Sequence, residues 1–160
     1  DRIGHGYHLF SPEKCDPRLI SNPEEYTRRL QHYIASHRLT IEVCISSNLQ
    51  TNPSIKKVSN HKFGEMLKSE LSATLCTDNR LMSHTSVTNE LDLAINAFDM
   101  TPKQIRNTII YGFKRSFFFG DYTSKRKYVR HVIDYLDSQF ERHDDKILKE
   151  SLFFSPEDPT

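Results

Sequence analysis

The strongest constraint on this chain is a change of rhythm along it. Two short runs rich in β-branched residues, LTIEVC (39–44) and SATLCT (72–77), alternate with segments whose apolar residues recur every three or four positions. The opening DRIGHG is short, and its extended reading depends on the alternation downstream of it. Asn22-Pro23-Glu24-Glu25 starts a helix, with an asparagine to cap, a proline in the first turn and two acids at the positive end of the macrodipole. Tyr26, Leu30, Tyr33 and Ile34 supply its buried stripe, to about His37. A shorter helix is expected over 61–68, and SSNLQTNPS (46–54) reads as a loop of turn-formers. Strands that alternate with helices in this way predict a parallel sheet with crossover connections, and ligands at the carboxyl ends of the strands.

After Asn79 the pattern is wholly helical. Val87, Leu91, Ala94, Ile95 and Phe98 form one stripe. Ile105, Ile109, Phe113 and Phe117 form the next, behind a capping box at Thr101-Pro102-Lys103-Gln104. A third helix is expected from about Tyr122 to Phe140, and SLFFSPEDPT (151–160) reads as a loosely held tail. The expected division is therefore 1–140 as the folded portion and 141–160 as the carboxyl-terminal tail. Three parallel strands need covered faces and protected edges. With Asp1 rather than methionine in first place, the missing strands are expected upstream.

Composition narrows the partners. At 160 residues, 36% hydrophobic and 27% charged, the chain suits one globular domain. Lysine and arginine total 22 against 21 acids, so no overall field attracts nucleic acid or an anionic membrane. No apolar run approaches the about 18 residues of a membrane span. Cys15, Cys44 and Cys76 are odd in number and widely spaced, which fits neither a disulfide framework nor a thiolate zinc knuckle and points to a reducing cytoplasm.

Chemistry-bearing residues gather where the strands end. His5 comes after the first, Cys44-Ile45-Ser46-Ser47-Asn48 after the second, and Asp78-Asn79 after the third. Neighbouring parallel strands lie about 4.8 Å apart, so groups at these ends reach one small ligand. A histidine and an aspartate there bind a metal, share a proton or hydrogen-bond; the residues alone leave the three open. Gly4 and Gly6 flank His5, as glycines do where a ligand approaches the backbone or the chain turns sharply. His8 completes an HxxH with His5, but residues three apart in an extended chain face opposite sides. His32, His37, His131 and His143 fall on helices, and His61 and His84 near loops are minor candidates. Glu42, in mid-strand, needs a partner if buried.

RIGHGYH, EVCISSN and TDN, in this order and at this separation, resemble the last three strand-end motifs of the adenosine deaminase family, and KRSFF (114–118) resembles a helical segment of that family. The resemblance implies the carboxyl-terminal part, strands six to eight and the terminal helices, of a (β/α)8 TIM-type barrel. It further implies a zinc-dependent hydrolysis of the 6-amino group of a purine nucleoside, adenosine giving inosine and ammonia. By motif position Asp78 is the metal ligand, His5 the catalytic residue beside the water that the ion activates, and Asn79 the substrate-binding residue at purine N7. Asn79 stands where the family usually has a second aspartate; its amide can donate to an unprotonated N7. Ile45 and Arg80 replace the family's usual prolines. The HxH and H-A-G-E motifs, which bring the other zinc histidines and the catalytic glutamate, have no counterpart here. The upstream half of the same barrel is thus an expected partner, and the isolated chain is expected to be inactive. The alternatives are a non-catalytic purine-binding or scaffold protein of the same fold, and an independent α/β interaction module.

Overall fold

In a computed structural model that describes the backbone of residues 1–153 and the side chains of residues 1–142, the chain forms two compact units, Asp1–Phe117 and Phe118 onward. The first unit carries a three-stranded parallel sheet in the order β1 (Arg2–Gly4), β2 (Thr40–Val43), β3 (Ala73–Leu75). Ile3 pairs with Ile41, and Ile41 in turn with Ala73, so the register brings the three carboxyl ends level. The expected parallel alternation of strand and helix is what forms.

Helix α1 (Pro23–Ser36) connects β1 to β2. Its start is fixed as the sequence predicts: the Asn22 side-chain oxygen accepts from the Glu25 N–H at 3.0 Å. Its buried face is narrower than expected. Thr27 and Ile34 are buried and Leu30 packs on the core, whereas Tyr26 and Tyr33 are about half exposed, and the Tyr33 ring stacks on His37. The chain between β1 and α1 makes two 3-10 turns, Tyr7–Phe10 and Pro12–Lys14.

The largest departure from expectation comes after β2. Residues read as a loop of turn-formers form helix α2 (Ile45–Thr51) instead. Ile45 is fully buried and Leu49, one turn on, packs against the same core, so tertiary burial overrides the weak helix propensity of Ser46, Ser47 and Asn48. A short helix α3 (Phe63–Lys68) precedes β3, and Phe63 and Met66 fill the centre of the core.

Helices α4 (Arg80–Ser83), α5 (Val87–Phe98) and α6 (Pro102–Arg115) complete the unit. The capping box at Thr101 is present with both of its hydrogen bonds. Gly112 lets α6 approach β3: a β-carbon there would lie 2.8 Å from the Thr74 hydroxyl. The α6 stripe ends earlier than expected. Phe117 lies beyond the helix, exposed, with its ring 3.9 Å from the Arg2 guanidinium carbon. Arg2 also supplies the partner that Glu42 requires, an ion pair of 2.6 Å between adjacent strands.

In the second unit α7 (Tyr122–Phe153) runs past the expected end at Phe140. Asp121 caps it by accepting from the Ser124 N–H at 2.9 Å, and Phe118 stacks on Phe119 and Tyr128. Residues 154–160 of the expected tail lie outside the described residues. Among the described residues no helix is long and apolar enough to cross a membrane.

Candidate functional site

The site grows from how β1 stops. The His5 N–H donates to the Glu42 carbonyl at 2.8 Å, which continues the ladder by one bond, and the Gly6 N–H then folds back onto the Gly4 carbonyl at 2.7 Å. His5 sits at the apex of this turn with φ +56°, left-handed backbone that few side chains adopt. Gly6 is left-handed too, and a β-carbon on it would lie 2.7 Å from Ile41 Cγ2. The close approach that glycine permits is therefore to β2. Gly4 has open space around it, and both glycines lie in the sharp turn that the sequence allows for.

Strand β3 ends in a similar way. Asp78, three residues beyond it, has φ +54°, and Asn79 then caps α4 by accepting from the Met82 N–H at 3.3 Å. With its amide oxygen committed to the cap, Asn79 keeps its NH₂ group to donate elsewhere. Two of the three expected site residues thus sit in conformations that cost free energy, a property that concentrates at functional positions.

Helix α2 joins the two ends. Ser47 Oγ donates to Asp78 Oδ2 at 2.7 Å, and Asn48 Nδ2 lies 3.2 Å from His5 Nδ1. Consecutive residues of one helix therefore hold an aspartate and a histidine that are far apart in the chain. Glu90, fully buried on α5, supports α2 from behind: its carboxylate accepts from the Ser46 N–H at 3.2 Å and from the Thr85 hydroxyl at 2.9 Å. His5, Tyr7, Asn48 and Lys62 line a broad concavity of about 1010 Å³. His8 also lines it, from the first 3-10 turn, while the Asp78 contact lies on the Ser47 side of the helix.

His61 is the residue that sequence reasoning undervalued. It is buried, its Nε2 lies 3.0 Å from Asn48 Oδ1, and its Nδ1 accepts from the Phe63 N–H at 3.0 Å. Burial, and then the nearby His5, push its pKa down to about 4. Its place just ahead of an apolar helix was the available signal. His32, His37 and His131 are exposed, as expected of surface positions.

A metal has one good donor here. Asp78 offers a carboxylate oxygen, with a hydroxyl on the other oxygen to orient it, which suits zinc. Among the described residues no group of three or more His, Cys, Asp or Glu converges, so these residues by themselves form no metal cage. Burial raises the Cys44 thiol to about 12 and that of Cys76 upward, so neither presents a thiolate.

The adenosine deaminase family profile matches residues 1–135. The chain belongs to the adenosine deaminase family. Adenosine deaminase 1 of Streptomyces coelicolor is 36% identical over 101 residues, 63% of this chain and 24% of that protein. The arabidopsis ADAL complexed with IMP superposes with a TM-score of 0.61 at 21% identity, over 86% of this chain and 34% of that one. An amidohydrolase from Burkholderia ambifaria with bound Zn gives 0.61 at 18%, over 89% and 36%. These two likenesses establish the fold. The chain spans about a quarter to a third of the length of the curated relatives it matches.

Proposed function

We propose that the chain forms the carboxyl-terminal portion of a (β/α)8 barrel that hydrolyses the 6-amino group of adenosine to inosine and ammonia, with residues 1–140 in the barrel portion and 141–160 as its tail. The observation that carries this reading is the paired contact from α2, Asn48 to His5 and Ser47 to Asp78, at the carboxyl ends of parallel strands. That is where sheets of this kind put their chemistry. The solved relative with IMP, a purine nucleotide, supports a purine substrate.

Each residue has a definite task. Asp78 would hold zinc, alongside ligands from the upstream half of the barrel. A bound zinc ion supplies Lewis acidity and makes water acidic enough to ionise near neutral pH. His5, in its strained turn, orients the attacking water and handles a proton through its imidazole. Asn79 donates its NH₂ to purine N7, since its oxygen is taken by the α4 cap. In the net reaction water supplies oxygen to C6, the C6–N bond breaks, and ammonia leaves. Free thiols at Cys15, Cys44 and Cys76 support a cytoplasmic setting.

The test is an assay of the complete barrel protein with adenosine, reading inosine and ammonia. Turnover that is lost in both His5→Ala and Asp78→Ala supports the reading; no turnover with both residues intact overturns it.

A further inference from the structure

A chain of hydrogen bonds reaches His5 from the buried His61, and its direction is fixed at that buried end. The Phe63 backbone N–H can only donate, so His61 Nδ1, 3.0 Å away, must accept and carries no proton. Neutral His61 therefore bears its proton on Nε2, which faces Asn48 at 3.0 Å. The atom that accepts there is the amide oxygen, Oδ1. This leaves the Asn48 NH₂ turned toward His5 Nδ1 at 3.2 Å, and a ring nitrogen that receives an N–H is itself unprotonated. Turning the amide over would set two donors against each other at His61.

We infer that His61 and Asn48 are positioning residues that fix the tautomer of His5, with Nδ1 bare and the proton on Nε2. His61 is only 3% exposed and its lowered pKa keeps it neutral, so the relay does not reverse near neutral pH. Its ring also meets the edge of Tyr7, centroids 5.5 Å apart, which holds the plane of the imidazole. The inference rests on the reading of His5 as a catalytic residue for its importance, but not for its geometry. It means that His5 offers an N–H to whatever enters the concavity, and that this choice is made by a residue on another element 56 positions along the chain (61 − 5).

The experiment is ¹⁵N imidazole NMR on the full chain at neutral pH, with the His5 signals assigned by their loss in His5→Gln. The expected wild-type spectrum has a pyridine-type Nδ1 and a pyrrole-type Nε2 on both His5 and His61. Asn48→Asp puts an acceptor on both sides of the relay, so His5 Nδ1 is expected to gain a proton and become pyrrole-type while His61 is unchanged. A pyrrole-type Nδ1 on wild-type His5 overturns the inference, and so does a His5 signal unmoved by Asn48→Asp. The wild-type spectrum decides even if that variant fails to fold. The expected spectrum in a protein without deaminase activity supports the relay and removes only the functional reading.

Discussion

Ser47 Oγ stands 2.7 Å from Asp78 Oδ2, a hydroxyl on the first turn of α2 holding a carboxylate that lies 31 residues further on. The bond takes one oxygen of Asp78 and leaves the other to the metal proposed above, as an outer partner would orient a ligand. Ser47→Ala in the complete protein is expected to weaken zinc about 10–100-fold. Asp78→Ala should weaken it further. Chelator competition measures both, and an unchanged metal affinity in Asp78→Ala removes that residue as a ligand.

His5 is expected to behave differently. It is half-buried and lines the concavity, so His5→Ala should lower turnover about 10²–10⁴-fold, the usual worth of a positioned acid–base group, while metal content stays at the wild-type level. Steady-state kinetics with metal analysis on the same samples separates the two roles. Loss of metal and activity together would make His5 a ligand.

Gly6 carries a stability cost that does not involve chemistry. Alanine in left-handed backbone costs about 1–2 kcal/mol, and its β-carbon would press on Ile41 Cγ2 from 2.7 Å. Gly6→Ala is therefore expected to lose about 2–4 kcal/mol once overpacking is added. Urea unfolding checks this, with an unchanged slope as the sign that only the native state has been affected.

His61 ties stability to acidity. Its folded pKa of about 4 lies below the usual value of 6.5, because burial and then His5 disfavour its charge. Between these two values the unfolded chain binds a proton that the native chain refuses, so stability falls as pH drops. Its contribution is whole above about pH 6.5 and lost on the way down to about pH 4, on the order of a few kcal/mol. Denaturant midpoints for wild type and His61→Gln should converge across this window; parallel curves would mean that His61 does not titrate there.

Much of the fold was legible because local signals and burial agreed. Asn22 and Thr101 mark helix starts by side-chain chemistry that operates over three residues, and the β-branched run Thr40–Val43 forms the central strand. What escaped was set by distance. Ser46, Ser47 and Asn48 favour turns by themselves, and only the buried Ile45 and the Glu90 carboxylate from another helix make them α2. Hence the two residues that join His5 to Asp78 lie in a segment that reads as a loop. His61 is hidden for the same reason, since its importance depends on an amide 13 residues away. Phe117 fits the α6 stripe, yet a guanidinium from β1 holds it outside.

The left-handed backbone at His5 and Asp78 limits what either position can become. Valine, isoleucine and threonine are genuine outliers there, while asparagine, aspartate, histidine and glycine are admitted. The alphabet open to drift at both places is thus short, polar and rich in groups that coordinate or transfer protons. Lineages that abandon the original reaction would still inherit a mouth furnished for another.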